Sequence, residues 1–182
     1  MSRLNSVDPL KTSGKGKELL DGVKAKLGTV PNMTKVMVNS PAVLEAYLGF
    51  SGALAGGHLN SKLREKIALF SAQENQCDYC LSAHTAIGKM VGLHHEEIVG
   101  SQKGEGATDQ ENAALAFVRH LLDTKGHATE AEIDGLKAVG FTDGDIAELI
   151  AHVALNVFTN YFNVAAAVDI DFPKVSHQDV LQ

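Results

Sequence analysis

Apolar residues return every three or four positions along most of this chain, a spacing that predicts amphipathic helices. Residues 15–27 carry the first apolar stripe, and Gly28 follows it as a helix stop. Ser40-Pro41 then supplies a cap and a first-turn proline, and Gly56-Gly57 ends the helix that they open. No alternating strand pattern of useful length interrupts the helical one. The sequence therefore predicts an all-α helical bundle of about eight helices.

Three later helices are marked at their starts by the capping-box pattern, in which a threonine is followed three residues later by Glu or Asp. The three boxes are Thr108-Asp-Gln-Glu111, Thr129-Glu-Ala-Glu132 and Thr142-Asp-Gly-Asp145. The last of these helices is predicted to continue to about Val168. We predict a single domain over residues 1–182, with a core at about 40–168, an N-terminal arm at 1–14 and a C-terminal tail at 171–182.

Composition narrows the class of protein. The 182 residues are 45% hydrophobic and 21% charged, which indicates one globular domain with its own core. The net charge of −6, without a concentrated basic face, argues against a nucleic-acid partner. The N-terminus lacks an apolar signal region, and apolar runs such as 164–168 are too short to cross a bilayer. We therefore expect a cytoplasmic protein without a membrane partner.

Cys77 and Cys80 are the two cysteines of the chain. In the cytoplasm such a pair is more often catalytic or metal-binding than a structural staple, and so short a loop would constrain the unfolded chain little. A helix beginning near Asp78 brings Cys80 next to Cys77 and to His84, because residues three and four apart share a face. The helix N-terminus favours a thiolate, the reactive form of cysteine. The pattern predicts a thiol redox centre.

Glu65 joins this group if the helices on either side of the polar break at residues 73–76 form an antiparallel hairpin. At about 1.5 Å per residue, Glu65 then lies roughly 16 Å and His84 roughly 12 Å from the turn. The difference of about 4 Å is within side-chain reach. Glu65 could orient His84, and His84 could serve Cys80 as a base, which together would activate the thiol.

The arrangement Glu65-x11-Cys77-x2-Cys80-x3-His84 resembles the signature of the alkylhydroperoxidase D-like family, within the carboxymuconolactone decarboxylase superfamily. The resemblance is strong over about residues 60–92 and weaker over roughly 40–168. It implies an all-helical subunit that assembles into a homo-oligomer, a trimer or a hexamer. It also implies reduction of hydroperoxides by a dithiol–disulfide cycle that needs no flavin, haem or metal, with re-reduction by a thiol partner that in the family bears a dihydrolipoyl group.

The resemblance also implies a role for each site residue. Cys80 corresponds to the peroxidatic cysteine and Cys77 to the resolving one, whereas a thioredoxin-like precedent would make the N-terminal cysteine the nucleophile. Glu65 and His84 correspond to the proton relay. The sequence departs from the family at Tyr79, where the namesake enzymes often have histidine. A phenol titrates near pH 10, so Tyr79 could donate a hydrogen bond to a substrate but would not shuttle protons near neutrality.

Other interpretations remain open. Cys77, Cys80, His84 and Glu65 could in principle bind zinc, although structural zinc usually recruits a second ligand pair and no further cysteine exists. The chain could be a decarboxylase of the superfamily's other enzymatic branch, or a non-enzymatic redox-sensing oligomeric module. His152, on an apolar helix, is predicted to be a core or interface histidine, with substrate binding as the alternative.

Overall fold

The computed structural model describes residues 2–179, and all regular secondary structure in this range is helical. The nine helices are α1 (Gly14–Leu27), α2 (Asn32–Met37), α3 (Pro41–Ala55), α4 (Ser61–Glu74), α5 (Asp78–Met90), α6 (His95–Lys103), α7 (Asp109–Thr124), α8 (Glu130–Ala138) and α9 (Asp143–Ala166). The predicted all-α bundle is confirmed. The helix beyond the eight that the sequence predicts is α2, whose six residues are too few to show an apolar period.

The central helix is α4, which packs against α5, α6, α7 and α9. Its residues 66–73 are all buried, because neighbouring helices cover every side of it. The helix separates two apolar clusters. Leu69 faces the cluster built with α1, α2, α3 and α5, while Phe70 faces the cluster built with α7, α8 and α9. Glu65 projects from this enclosed helix at the edge of its buried segment.

A buried ion triad holds α4 in place. Lys66, 1% exposed, donates through Nζ to Glu111 at 2.7 Å and to Glu97 at 3.1 Å. These contacts join α4 to α6 and to α7. A buried ammonium is tolerated only when it is paired and hydrogen-bonded, and two carboxylates satisfy that need here.

The turn between α4 and α5 is a Schellman motif that forces the two helices into a hairpin. Cys77 N–H donates to the carbonyl of Ala72 at 2.9 Å, and Gln76 N–H donates to that of Gln73 at 3.1 Å. Gln76 takes the left-handed conformation, with φ of 52°, that closes this motif. The reversal therefore occurs immediately before α5, and Cys77 becomes the first residue after it.

The predicted helix starts are confirmed, with one difference in detail. Thr129 and Thr142 form reciprocal capping boxes at the starts of α8 and α9. Thr108 accepts from Glu111 N–H, but the Glu111 carboxylate bonds to Ala107 N–H and to Lys66 instead of returning to the cap. The buried Lys66 explains this difference, because it requires the carboxylate as an ion-pair partner.

The segments outside the helical core pack against it. Near the N-terminus, Arg3 N–H donates to the carbonyl of Ala166 at 2.7 Å. Beyond α9, the Ser82 hydroxyl accepts from Val175 N–H, and His177 pairs with Asp78 at 2.7 Å. The C-terminal segment thus lies along the first turns of α5. Residues 180–182 of the predicted tail lie outside the described residues.

By length and composition alone, α9 could cross a membrane, a test that the core helix of a soluble protein also passes. Its inner face is polar in the middle of an apolar sequence. His152, Asn156, Asn160 and Asn163 are all buried, and they follow one another at helical spacing. This line of side chains, which we call the α9 polar stripe, runs along the helix toward the cysteines.

Candidate active site

Cys77 and Cys80 form a disulfide with their Cα atoms 5.3 Å apart, and the two residues are 1% and 3% exposed. Cys77 is the N-cap of α5, and its Sγ accepts from Cys80 N–H at 3.2 Å. A sulfur in this position meets the unpaired amides and the positive end of the helix dipole. The location therefore stabilises a thiolate once the disulfide opens.

Asn163 of the α9 polar stripe contacts the second sulfur. Its Nδ2 lies 3.2 Å from Cys80 Sγ and 3.1 Å from Met33 Sδ, so the two amide hydrogens are directed at two sulfurs. Asn163 is 3% exposed, which keeps water from competing for the contact. Sequence reasoning did not single out Asn163. The sequence could have indicated it, because Asn163 continues the helical spacing of His152, Asn156 and Asn160 and so lies on the same face of α9.

The contact predicted between Glu65 and His84 is present. Glu65 Oε2 and His84 Nδ1 are 2.8 Å apart, and both side chains are partly buried. With Glu65 ionised, Nδ1–H donates to the carboxylate and Nε2 keeps its lone pair. The structure thus forms two pairs, Glu65 with His84 and Cys77 with Cys80, and His84 is one turn along α5 from Cys80. Their catalytic roles remain predictions.

A cavity of ≈ 190 Å³, which we call the relay cavity, opens beside this pair. Its wall combines ionisable and aromatic groups with apolar ones, and includes Tyr47, Arg64, Glu65, His84, His152 and Leu155. Burial raises the pKa of Tyr47, which keeps its phenol neutral. The cavity thus offers proton donors and acceptors next to a partly apolar surface.

His152 is both a buried residue and part of the relay cavity wall. It is 6% exposed, and its Nε2 makes no hydrogen bond within residues 2–179. Burial, assisted by the nearby Arg64 cation, lowers the pKa of His152 below the usual imidazole value. The ring is therefore neutral near neutral pH and available to a ligand, which is compatible with both interpretations of this residue.

A second recess has a volume of ≈ 170 Å³. Cys77 lines it together with Gln76, Tyr79, Asn163 and Ile170, and we call it the Cys77 recess. Among the described residues, none lines both this recess and the relay cavity. The Cys77 recess therefore reaches the disulfide, whereas the relay cavity reaches the pair of Glu65 and His84.

Tyr79 points away from the relay. Its hydroxyl accepts from Met33 N–H at 3.2 Å, and its ring packs edge-on against Phe172 with centroids 5.7 Å apart. Burial, reinforced by the nearby Asp171 carboxylate, raises the pKa of Tyr79 far above that of a free phenol. The side chain joins α2 and the C-terminal segment to α5, and it borders the Cys77 recess as a possible substrate contact only there.

The zinc interpretation finds no geometric support. Within residues 2–179, no three His, Cys, Asp or Glu side chains are grouped so that they could hold a metal ion. The two sulfurs are joined to each other, and the imidazole of His84 bonds to Glu65.

Solved structures of other proteins share this fold, and three of them are described next. A peroxidase-related protein from Ralstonia eutropha, with an alkylhydroperoxidase AhpD core, matches with a TM-score of 0.85 and 23% identity, over 93% of this chain and 92% of that one. A peroxidase-related protein from Silicibacter sp. matches with a TM-score of 0.80 and 24% identity, over 91% and 88%. A variant of the debrominase Bmp8, in complex with 2,3,4-tribromopyrrole, matches with a TM-score of 0.74 and 23% identity, over 100% and 98%.

The sequence comparisons add a family. No curated protein matches the chain significantly. Residues 41–120, from the start of α3 to within α7, match the carboxymuconolactone decarboxylase family. This segment contains Glu65, both cysteines and His84. Residues 41–120 are thus similar to the carboxymuconolactone decarboxylase family, and the chain has the fold of peroxidase-related proteins with an alkylhydroperoxidase D-like core.

Proposed function

We propose that the protein is a dithiol peroxidase that reduces hydroperoxides at the Cys77–Cys80 pair. One observation carries the proposal: a redox-capable cysteine pair occupies the N-terminal turn of α5, one turn from an imidazole that is hydrogen-bonded to a carboxylate at 2.8 Å. A nucleophile, a base and a group that orients the base are what activation of a thiol requires.

In the proposed oxidative half-reaction, His84 Nε2 takes the proton of Cys80 while Glu65 holds the ring. The Cys80 thiolate attacks the terminal peroxide oxygen, the O–O bond breaks, and the alkoxide leaves as an alcohol with the proton from His84. Cys80 is now a sulfenic acid. The Cys77 thiol attacks it, water leaves, and the disulfide forms. Two electrons pass from the dithiol to the peroxide.

The order of the cysteines is part of the proposal, and two contacts support it. Cys80 is the cysteine beside His84, and Asn163 Nδ2 lies 3.2 Å from its sulfur. Cys77 is instead the helix cap and faces the other recess. The thioredoxin-like alternative, with Cys77 as nucleophile, would use the cap position to stabilise the thiolate.

A pair of single-cysteine variants tests function and order together. Reduced Cys77→Ser should consume one equivalent of cumene hydroperoxide and leave a sulfenic acid on Cys80, which dimedone traps and mass spectrometry locates. Cys80→Ser should react no faster than the free thiol of a denatured control. Trapping on Cys77 in Cys80→Ser would reverse the order, and equal slow consumption by both variants and wild type would reject the peroxidase.

A reductive dehalogenase is the second candidate, favoured by the match of the whole chain to a debrominase. The same dithiol would serve: the thiolate takes the halogen, the carbon takes a proton from His84, and Cys77 displaces halide to form the disulfide. Release of bromide from a bromopyrrole, lost in Cys80→Ser, would establish it. Decarboxylation of a lactone that survives Cys80→Ser would instead favour the superfamily's other branch.

We also propose that the protein works as a homo-oligomer in the cytoplasm, where thiol reductants such as a dihydrolipoyl-bearing protein could renew the dithiol. The support is on α9, which leaves Ile150, Phe158, Tyr161 and Val164 exposed along its outer side. Large exposed apolar groups in a row mark interaction surfaces. Light scattering coupled to size exclusion should show a trimer or hexamer, and a monomer at every concentration would contradict the proposal.

A further inference from the structure

Two openings of different chemistry lie near the disulfide. The relay cavity is lined by Glu65 and by His84, the base that a peroxide reaction needs, and His84 is one turn along α5 from Cys80. On the side of Cys77 is a recess without a histidine or a lysine among its lining residues, bordered by Asp78 and Tyr79. The openings share no lining residue within the described chain, so a molecule in one of them does not block the other.

We propose that the two half-reactions use different openings: the oxidant reaches Cys80 from the relay cavity, and the reductant attacks Cys77 from the Cys77 recess. The proposal deepens the peroxidase function and rests on it for the oxidant. Cys77 is the cysteine that lines a recess, whereas Cys80 lines neither opening. Thiol exchange requires the attacking sulfur to approach along the S–S axis from the side opposite the leaving sulfur, which at Cys77 is the side away from Cys80.

The contacts at Cys80 suit it to leave in this reaction. When a reductant thiolate bonds to Cys77 Sγ, the Cys77–Cys80 bond breaks and its electron pair goes to Cys80 Sγ. Asn163 Nδ2, 3.2 Å away, donates to the developing thiolate. A better stabilised thiolate leaves faster. The reductant's second thiol then attacks its own sulfur in the mixed disulfide, closes the reductant's disulfide and releases Cys77, and the two reductant protons end on the enzyme thiols.

The size and charge of the recess define the reductant. The recess has a volume of ≈ 170 Å³, which is about the volume that five or six molecules occupy in liquid water. A short dithiol chain fits this space, but the folded surface of a protein does not. Cys77 is 1% exposed, so its sulfur cannot be reached by a thiol on a flat surface. Asp78 at the edge and Asp171 beside Tyr79 disfavour an anion. The recess fits a slender, uncharged dithiol.

Gln76 and Lys125 make a matched pair for the test. Both are exposed, non-glycine residues in the left-handed conformation at a helix end, with φ of 52° and 59°. Only Gln76 lines the Cys77 recess. Gln76→Trp and Lys125→Trp therefore impose a similar backbone cost, but only the first adds bulk over Cys77. Leu155→Trp adds bulk to the relay cavity instead.

Each half-reaction is measured separately by stopped flow. Reduction of the purified disulfide by dithiothreitol should slow about tenfold or more in Gln76→Trp and stay within about twofold in Lys125→Trp and Leu155→Trp, because access sets the exchange rate. Oxidation of the reduced protein by cumene hydroperoxide should show the reverse, with only Leu155→Trp slowed. Equal slowing of both half-reactions by Gln76→Trp, or slower reduction in Leu155→Trp, would overturn the proposal. Circular dichroism confirms that each variant folds.

A charged dithiol tests whether the acidic residues near the recess select the reductant. Dimercaptosuccinate, a dithiol with two carboxylates, should reduce the disulfide more slowly than dithiothreitol, and added salt should narrow the difference by screening Asp78 and Asp171. If the ratio of the two reduction rates does not change with salt, the charges of Asp78 and Asp171 do not select the reductant. The reduction assay needs no peroxide. If hydroperoxides fail to oxidise wild type, the proposed peroxidase fails, while the Gln76→Trp result still decides where the reductant attacks.

Discussion

Asn163 provides a direct test of how the fold prepares Cys80 for chemistry. In Asn163→Leu, a side chain of similar size keeps the space filled but removes the N–H that lies 3.2 Å from the sulfur. A hydrogen bond to a charged group contributes about 1.5–3 kcal/mol, and each 1.4 kcal/mol is a factor of about ten in an equilibrium. The ratio of thiolate to thiol at Cys80 should therefore fall about tenfold to a hundredfold.

The assay is the ultraviolet absorbance of the thiolate during a pH titration, with Cys77→Ser as the background so that Cys80 alone titrates. The midpoint should rise by about one to two pH units in Asn163→Leu. The rate of oxidation by hydroperoxide at neutral pH should fall with the thiolate fraction. Asn163→Asp, which places a carboxylate where the donor stood, should raise the midpoint at least as far.

Asn160→Leu is the matched control. Asn160 lies on the same helix and is also buried, but its amide oxygen accepts from Asn75 Nδ2 at 3.0 Å, and within residues 2–179 it makes no hydrogen bond to Cys80. Its replacement should lower stability without moving the thiolate midpoint. If Asn163→Leu leaves the midpoint within about 0.3 pH units of the background, or if Asn160→Leu moves it equally, Asn163 does not stabilise the thiolate.

Three further outcomes follow from the site and its support. Glu65→Gln should slow oxidation of the reduced protein by roughly ten- to a hundredfold, since a neutral amide no longer favours the charged imidazole of His84, while dithiothreitol should reduce the disulfide at the wild-type rate. Lys66→Met should lower the free energy of unfolding by about 3 kcal/mol, because Glu97 and Glu111 lose their cation. Thermal denaturation should then show a melting temperature about 6–12 °C lower, and an unchanged melting temperature would contradict this prediction. Burial lowers the pKa of His152, so the unfolded chain binds more protons below about pH 6.5 and stability should fall on acidification. His152→Phe should weaken that dependence in denaturant titrations between neutral pH and about pH 5, and an identical pH profile would exclude His152 as a source.

Much of the architecture is legible in the sequence because it depends on neighbours along the chain. Helical periodicity and capping residues placed eight of the nine described helices, and the ninth, α2, is too short to be periodic. The contact between Glu65 and His84 could also be predicted, since a short turn and a fixed rise per residue determine which residues of a hairpin face each other. The pairing of Cys77 with Cys80 could be predicted from their spacing and from the position of the helix start alone.

What the tertiary structure alone decided are the contacts between distant segments. Asn163 reaches Cys80 across 83 positions, and Tyr79 bonds to Met33 rather than serving the relay. Lys66, which reads as an ordinary surface lysine, is buried against two carboxylates. Such contacts depend on how complete helices pack, and the spacing of side chains within one helix does not show which residue of another helix they will contact. The redox pair is thus determined locally, whereas the relay cavity and the Cys77 recess exist only because helices that are distant in the sequence meet there.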